Sequence, residues 1–368
     1  MDSISTLSDQ SFERYSRQIA LNQIGYEGQL KIREAKVCVV GLGGLGVPCA
    51  MQLVAMGAGL VRLVDRDVVE ISNLHRQYLY DSGSIGYPKV EVAAEKLAKI
   101  NPEVELEPLT VSVNPDTAVD VVRGIDIVVD GLDSVSARYA INRACIELGV
   151  PYVYGSAIET MGVASTIIAQ QTPCLECFFP SLNDEELPKC AIDGIHPSVL
   201  NIVSGIQISE AVKIITGKKS DLAGKLLFFD SDSTSFDYVP IARQDECQAC
   251  GVKRNPLPVT YGRKIIEDIC SREGKRVFVI SPKENLRIDV ETASSLISEN
   301  NLRVELKGSY GLGFSYDRNI KFTLLDSGVA VILGADTKET ALNAYKEVTS
   351  LLQIPWQRIE TKLAPVPK

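Results

Sequence analysis

A glycine run followed by acidic and basic residues offers the first chemistry in this sequence. Gly41-Leu42-Gly43-Gly44-Leu45-Gly46 fits GxGxxG and comes directly after an apolar stretch. Glycines let the backbone approach a phosphate-bearing ligand, and the amino end of the following helix favours negative charge. Asp65 closes the next predicted strand, where a carboxylate can bind ribose hydroxyls. This pattern alone fits a nicotinamide-dependent dehydrogenase as readily as an ATP-using enzyme, and it is also compatible with a structural turn that binds nothing.

Polar residues after the second predicted strand narrow these alternatives. Asn73, Arg76, Gln77 and Lys89 all follow that strand. Two cations near a phosphate site are unnecessary for hydride transfer, but they suit a reaction in which pyrophosphate departs. The chain has no GxxxxGK[ST] sequence, so a P-loop ATPase is excluded. The residues therefore favour a reaction at the phosphates of ATP.

Two CxxC pairs form the second candidate site. They consist of Cys174 with Cys177 and Cys247 with Cys250, among nine cysteines in all. Four thiolates in two such pairs satisfy tetrahedral Zn²⁺, and we expect a structural site closed to substrate. A redox-active CxxC is the alternative, although one pair alone would suffice for that role.

The elements that must position these residues alternate between strands and helices. Strands are predicted at residues 36–40, 60–65, 104–113, 125–130 and 152–155, and helices at 46–56, 89–100, 116–123 and 134–148, after a helical arm at 12–33. This order predicts a Rossmann-like, doubly wound, mostly parallel α/β sheet. Strands at 164–170, 226–229 and 236–240 around a helix at 198–216 predict an antiparallel extension of the sheet.

The last segment of the chain has a different pattern of predicted elements. We place a linker at residues 255–258 and divide the chain into residues 1–254 and a small α+β domain at 255–368. Strands are predicted at 277–280, 320–325 and 329–333, with a three-residue hairpin turn at Asp326-Ser327-Gly328 and a helix at 338–352.

Composition limits the class of protein. Of 368 residues, 45% are hydrophobic and 23% are charged, as in ordinary globular proteins, and the net charge of −9 argues against nucleic-acid binding. Residues 1–10 are polar and acidic, so we expect no signal peptide and a cytoplasmic location. The apolar stretch 37–61 is long enough for a membrane span, but its glycines and Pro48 divide it into strand, turn, helix and strand.

The motifs, taken together and in order, resemble the ubiquitin-activating superfamily, specifically its MoeB/ThiF branch. The resemblance covers about residues 11–251. It rests on Arg14-Tyr15-Ser16-Arg17-Gln18, the glycine run, Asp65-Arg66-Asp67, Ser72-Asn73-Leu74-His75-Arg76-Gln77, Gly86-Tyr87-Pro88-Lys89 and Asp130-Gly131-Leu132-Asp133.

The resemblance implies adenylation of a ubiquitin-like or sulfur-carrier protein that ends in Gly-Gly. By this likeness Asp65, within Asp65-Arg66-Asp67, binds ribose, and the ATP phosphates contact Asn73, Arg76 and Lys89, with Gln77 alongside. Asp133 would hold Mg²⁺, although Ser134 stands where relatives commonly have asparagine. Arg14 would reach the partner's site in a homodimer. From the residues alone, Arg14 could instead be a solvated charge and Asp133 the N-cap of the helix at 134–148.

Two features stay open at this stage. Cys190 resembles the family's thioester- or persulfide-forming cysteine, and Lys189 beside it could lower the pKa of its thiol; an inert cysteine is the alternative. The last 110 residues show no rhodanese-like cysteine loop, and they fit either a stabilising or dimerising appendage or a docking module. The rival functions are adenylation of a peptide or tRNA base, an NAD-dependent oxidoreductase, and a non-catalytic scaffold.

Overall fold

The computed structural model describes residues 6–180, 182, 184, 194–252, 265–272 and 275–359. Two β-sheets organise this part of the chain, one of eight strands and one of six. Cys190 and the predicted linker at 255–258 lie outside the described residues.

The larger sheet has the strand order β3-β2-β1-β4-β5-β6-β7-β8. Its first five positions are parallel, and β6, β7 and β8 continue it antiparallel. Successive strands run outward in one direction from β1 to β3 and in the other direction from β4 onward, so the order reverses between β1 and β4, which is where ligands bind in open sheets of this kind. The strands are β1 Lys36–Val40, β2 Leu60–Val64, β3 Glu105–Leu109, β4 Ile127–Asp130, β5 Tyr152–Ile158, β6 Met161–Ile167, β7 Lys225–Asp230 and β8 Ser235–Pro240.

Helices cover both faces of this sheet, which confirms the predicted doubly wound fold. The crossovers after β1 and β4 contain helices because parallel neighbours cannot be joined by tight turns. The helices are α1 Asp9–Ile19, α2 Gly25–Glu34, α3 Gly46–Ala55, α4 Lys89–Ile100, α5 Ala118–Val122, α6 Val135–Leu148, α7 Leu175–Phe178 and α8 Pro197–Ile215.

Helix α8 is long and apolar enough to cross a membrane by length and composition, and it is the one such helix among the described residues. It packs instead against α3, β5 and β6. Its Val199, Val203 and Ala211 are almost fully buried, so its hydrophobicity is explained by a place in the core.

Several element boundaries differ from the sequence prediction, and three of these differences have a clear physical reason. The predicted helical arm at 12–33 consists of two helices, α1 and α2. The helix is interrupted between them, and Gly25 at the start of α2 takes a φ of 64°. Strand β3 stops at Leu109 instead of residue 113, and the segment that follows contacts the second sheet. Strand β6 begins three residues before the predicted start because β5 and β6 form one hairpin.

The second sheet is wholly antiparallel, in the order β11-β12-β13-β14-β10-β9. The predicted strands became β10 Lys275–Ile280, β13 Lys321–Leu325 and β14 Ala330–Leu333, and the predicted turn joins the last two. Sequence analysis missed β9 Ile266–Arg272, β11 Arg303–Lys307, β12 Gly311–Ser315 and helix α9 Val290–Glu299, whereas the final helix is present as α10 Lys338–Leu351. Its core is formed by Phe278, Phe314, Phe322 and Tyr345, all nearly inaccessible.

Candidate functional site

The turn between β1 and α3 is crowded at three glycines, and at two of them the neighbouring atoms belong to the backbone. Gly41 has a φ of 85°, and a Cβ there would lie 2.5 Å from the Gly131 carbonyl oxygen. A Cβ at Gly46 would lie 1.8 Å from the Gly41 oxygen, and one at Gly44 would lie 2.6 Å from the Leu200 side chain. These glycines allow β1, β4 and α8 to approach each other.

Gly43 is different, because the protein itself leaves room for a side chain there. The nearest atom to a Cβ at Gly43 would be Gln77 Nε2 at 3.9 Å. Gln77 is 3% exposed. Its buried Oε1 has no hydrogen-bond partner among the residues that the structure describes. Buried polar groups are normally satisfied. A bound ligand above Gly43 would explain both the glycine and the unpaired oxygen.

Asp65, at the carboxyl end of β2, is tied to the glycine turn. Its Oδ2 accepts a hydrogen bond from Leu42 N at 2.6 Å, and its Oδ1 accepts one from Asp67 N at 2.7 Å. Burial raises the pKa of Asp65, while the Lys89 charge lowers it in part. Each carboxylate oxygen retains a second lone pair, so the group can still accept hydrogen bonds from a ribose.

Lys89 brings a buried positive charge to the same place. Its side chain is 6% exposed, and Nζ lies 3.4 Å from Asp67 Oδ2. Burial lowers the pKa of Lys89, but the charges of Asp65, Asp67, Glu70 and Asp133 outweigh this effect and raise it. The ammonium is therefore positive at neutral pH and available to a phosphate.

Asn73 and Arg76 lie on the chain between Asp67 and Lys89. Asn73 is buried, and its Oδ1 accepts from the backbone N–H of Glu70, which fixes the turn at Ile71–Asn73. Arg76 donates to the Ser72 carbonyl oxygen at 2.6 Å and is partly exposed. This bond to a neutral backbone group leaves the guanidinium charge without a carboxylate partner in the described structure.

Asp133 is exposed at the loop before α6, and it makes no hydrogen bond or ion pair within the described residues. The alternative that it caps α6 is wrong, because Asp184 occupies that place. The Asp184 carboxylate accepts from Val135 N at 2.5 Å and from Ser136 N at 3.1 Å. The carboxylate of Asp133 is thus left available for a cation, and no sequence signal had indicated Asp184.

Asp130, three residues earlier, has a structural role in this chain. Its Oδ2 accepts from Arg138 Nε at 3.0 Å and from Tyr152 OH at 2.8 Å, and it is fully buried. Burial raises the pKa of Asp130, and Arg138 opposes that shift. Burial thus separates this carboxylate from the exposed Asp133, to which the family resemblance assigns Mg²⁺.

Arg14 does not join the site within one chain. It lies exposed on α1 and donates to the Ile100 carbonyl oxygen at 3.2 Å, at the end of α4 opposite to Lys89. Its assignment to a partner subunit stays a prediction. Cys190, outside the described residues, likewise stays a prediction.

The four CxxC cysteines come together as a second site. The Sγ atoms of Cys174, Cys177, Cys247 and Cys250 all lie within 4.8 Å of one another, and all four residues are buried. Neighbouring sulfurs are 3.5 to 4.0 Å apart. Four thiolates at about 2.3 Å from one zinc ion would show similar separations, so this set can hold tetrahedral zinc.

Comparisons with known proteins agree with this arrangement. The ThiF family profile matches residues 15–250. The chain is 38% identical over 248 residues to a sulfur carrier protein adenylyltransferase of Thermus thermophilus, covering 66% of this chain and 92% of that protein. It is 37% identical over 247 residues to a SAMP-activating enzyme E1 of Haloferax volcanii, covering 67% and 91%.

A longer match reaches into the second sheet. The chain is 34% identical over 316 residues to a protein of Culex quinquefasciatus named adenylyltransferase and sulfurtransferase MOCS3, covering 83% of this chain and 70% of that protein. Among solved structures, E. coli MccB with ATP aligns with a TM-score of 0.58 at 24% identity, over 67% of this chain and 76% of that one. This last likeness supports the fold.

Proposed function

The chain belongs to the ThiF family, and we propose that it transfers AMP from ATP to the C-terminal glycine carboxylate of a ubiquitin-like sulfur-carrier protein. The observation that carries the proposal is the open space at Gly43 beside the unpaired Oε1 of buried Gln77, flanked by Asp65 and Lys89. A nucleotide is the ligand that this combination of open backbone, carboxylate and buried cation suits.

The proposed reaction needs no general base. A carboxylate oxygen of the carrier attacks the α-phosphorus of ATP, and the bond to the bridging oxygen breaks, so that pyrophosphate leaves and carrier–CO–AMP forms. Lys89 and Arg76 stabilise the charge that develops on the phosphate oxygens. Asp65 orients the ribose, Asn73 donates a hydrogen bond through its amide nitrogen, and the Oε1 of Gln77 accepts one from a hydroxyl or amino group of the nucleotide. Asp133 would hold Mg²⁺, which supplies charge neutralisation at the departing pyrophosphate.

Several finer assignments belong to the same proposal. Zinc would fill the four-cysteine cluster as a structural ion. Arg14 would act across a homodimer, because a single chain keeps it away from Lys89. Cys190 would carry the activated carrier as a thioester or persulfide after adenylation.

The division into residues 1–254 and 255–368 is supported by the two separate sheets. We expect the protein to be cytoplasmic.

The relatives indicate the substrate class. They are named for sulfur carriers and for SAMP activation, which favours a carrier protein over a peptide, a tRNA base or NAD. We do not propose for this chain the sulfurtransferase activity that the MOCS3 name includes. Its one cysteine after residue 259 is Cys270, and that residue lies on strand β9 and not in a loop.

The proposal is tested by incubating the protein with α-labelled ATP, Mg²⁺ and a Gly-Gly-ending carrier, and by measuring labelled carrier after rapid quenching. We expect label on the carrier, and none when its last glycine is deleted. Calorimetric binding of NAD in preference to ATP would contradict the proposal and favour an oxidoreductase. Binding of ATP without carrier labelling would favour another carboxylate substrate.

A further inference from the structure

A carboxylate from the second sheet reaches the nucleotide site through Arg66. Glu267 on β9 forms two parallel bonds with this guanidinium, from Nη1 to Oε1 at 2.6 Å and from Nη2 to Oε2 at 2.8 Å. Arg66 stands between Asp65 and Asp67 at the end of β2. The two partners are 201 residues apart in sequence, so folding of the second sheet against the first is needed to form this pair.

Arg66 has other carboxylates within electrostatic reach. Burial lowers the pKa of Arg66, but the hydrogen bonds and charge of Glu267, together with the charges of Asp67 and Asp133, raise it overall. A guanidinium prefers a bidentate carboxylate to a single contact. The two bonds to Glu267 therefore direct the Arg66 guanidinium towards β9, although Asp67 is its neighbour in the chain.

Neighbouring contacts hold the second sheet to the elements that build the site. Glu91, two residues after Lys89 on α4, accepts from Ser309 N at 2.7 Å and from Tyr310 N at 3.2 Å. The fit is close, because a Cβ at Gly308 would lie 2.4 Å from the Glu91 carboxylate. The start of α4 is thus fixed by the loop between β11 and β12.

A second group of contacts fixes the segment after β3. Ser112 Oγ lies 2.5 Å from Ser281 Oγ, and Ser327 Oγ donates to the Thr110 carbonyl oxygen at 2.7 Å. Thr110 Oγ1 also donates to Asp326. The ends of β2 and β3 and the start of α4 thus all contact the second sheet.

We propose that Glu267 is a positioning residue for adenylation, which holds Arg66 away from Asp67 and Asp133 so that Lys89 and magnesium can use those carboxylates. This inference rests on the proposed function, and it gives the second sheet a part in nucleotide binding. The sequence suggested that the last segment is either a stabilising appendage or a docking module. The contact of Glu267 with Arg66 gives this segment a more specific role. Without Glu267, Arg66 competes for the same carboxylates that bind the cations.

The charge of Glu267 can be removed with little change of shape. Glu267→Gln weakens the bidentate pair with Arg66. The double variant Arg66→Gln/Glu267→Gln also removes the competing guanidinium. Asp268→Asn is the matched control, because Asp268 is the next residue on β9, pairs with Arg276 and has similar exposure, 31% against 35% for Glu267. Successive strand residues point to opposite faces, so this control changes a charge away from the nucleotide site.

The measurement is calorimetric ATP affinity as a function of Mg²⁺ concentration, with the melting temperature measured in parallel. Glu267→Gln is expected to raise the half-saturating Mg²⁺ concentration by roughly tenfold, the effect of one competing ion pair near the cation. The double variant should return to within about twofold of the wild type, which is the range expected for an uncoupled site. Asp268→Asn should match the wild type.

Two results would overturn the inference. One is an unchanged Mg²⁺ dependence in Glu267→Gln despite a lower melting temperature, which describes a purely structural pair. The other is a double variant as defective as Glu267→Gln. Because the readout is binding, it remains informative if no carrier is adenylated, in which case only the proposed function fails. A wild type that binds no Mg²⁺–ATP would contradict both.

Discussion

Lys89 places its Nζ 3.4 Å from Asp67 Oδ2 while its side chain is 6% exposed. A lysine so buried requires compensating negative charge, and four acidic residues of the site provide it. The cluster carries more carboxylates than this one cation requires. The surplus fits a site built for a further cation together with the phosphates of a nucleotide.

Removing the Lys89 charge should slow catalysis strongly. Lys89→Met is expected to lower the rate of ATP–pyrophosphate exchange by roughly 10²- to 10³-fold, as when one group that stabilises developing charge is lost. Lys99→Met on the same helix is the control, because Lys99 is 70% exposed and pairs only with Glu95 in the described structure. Equal loss in both variants would contradict the role of Lys89.

The glycines of the turn should separate into two classes when changed to alanine. Gly43→Ala is expected to change the free energy of unfolding by less than about 0.5 kcal/mol, because its new methyl meets open space, yet to weaken ATP binding. Gly46→Ala forces contact with the Gly41 oxygen and should cost at least about 3 kcal/mol. Chemical denaturation and calorimetry measure the two effects. Full ATP affinity in Gly43→Ala would contradict a ligand above that residue.

Acid should weaken ATP binding through Asp65. In the proposed site the ionised carboxylate accepts hydrogen bonds from the ribose, and burial raises its pKa in the folded protein. ATP affinity is therefore expected to fall as the pH drops through that raised value, above the ordinary range for aspartate. The effect of the same carboxyl group on the free energy of unfolding has the opposite sense. A pKa that is raised in the folded protein stabilises the fold at low pH, and this stabilisation is lost as the pH rises through the pKa of the folded state. Asp65→Asn should bind ATP weakly, without this acid limb.

The cysteine cluster should bind one zinc ion per chain. Cys247→Ser is expected to lose zinc, measured by elemental analysis, and to lower the melting temperature, since structural zinc contributes directly to folding. Cys190→Ser is the comparison and should keep zinc and adenylation, while it loses any covalent carrier adduct on denaturing gels. Zinc retained in Cys247→Ser would contradict the four-thiolate site.

The order of elements around the glycine turn could be predicted because local signals are strong there. Helix α4 begins and ends where its apolar period and the flanking Pro88 and Asn101 indicate. The prediction for β3 ran too far because residues 110–113 look strand-like, whereas in the fold they bond the second sheet through Thr110 and Ser112. Local pattern carries no information about such distant partners.

The second sheet shows the same limit more clearly. Strand β12 was missed because Gly311 and Gly313 interrupt the alternation that marks a strand, whereas β11 was missed although its residues alternate between polar and apolar. Glu267 and Asp184 could not be found from spacing either, since each acts on a residue far away in sequence. Motifs therefore indicated the residues that we propose to face the nucleotide, but not those that hold them in place.

The two aspartates at α6 give the most direct test of the account. ATP–pyrophosphate exchange should be measured with and without a Gly-Gly-ending carrier in the wild type, Asp133→Ala and Asp184→Ala. We predict carrier-dependent exchange in the wild type, its loss in Asp133→Ala with unchanged melting temperature, and its retention in Asp184→Ala, which loses a helix cap worth about 1 kcal/mol. Exchange that persists in Asp133→Ala, or that is absent from the folded, zinc-loaded wild type with every Gly-Gly carrier tested, would contradict adenylation at this site.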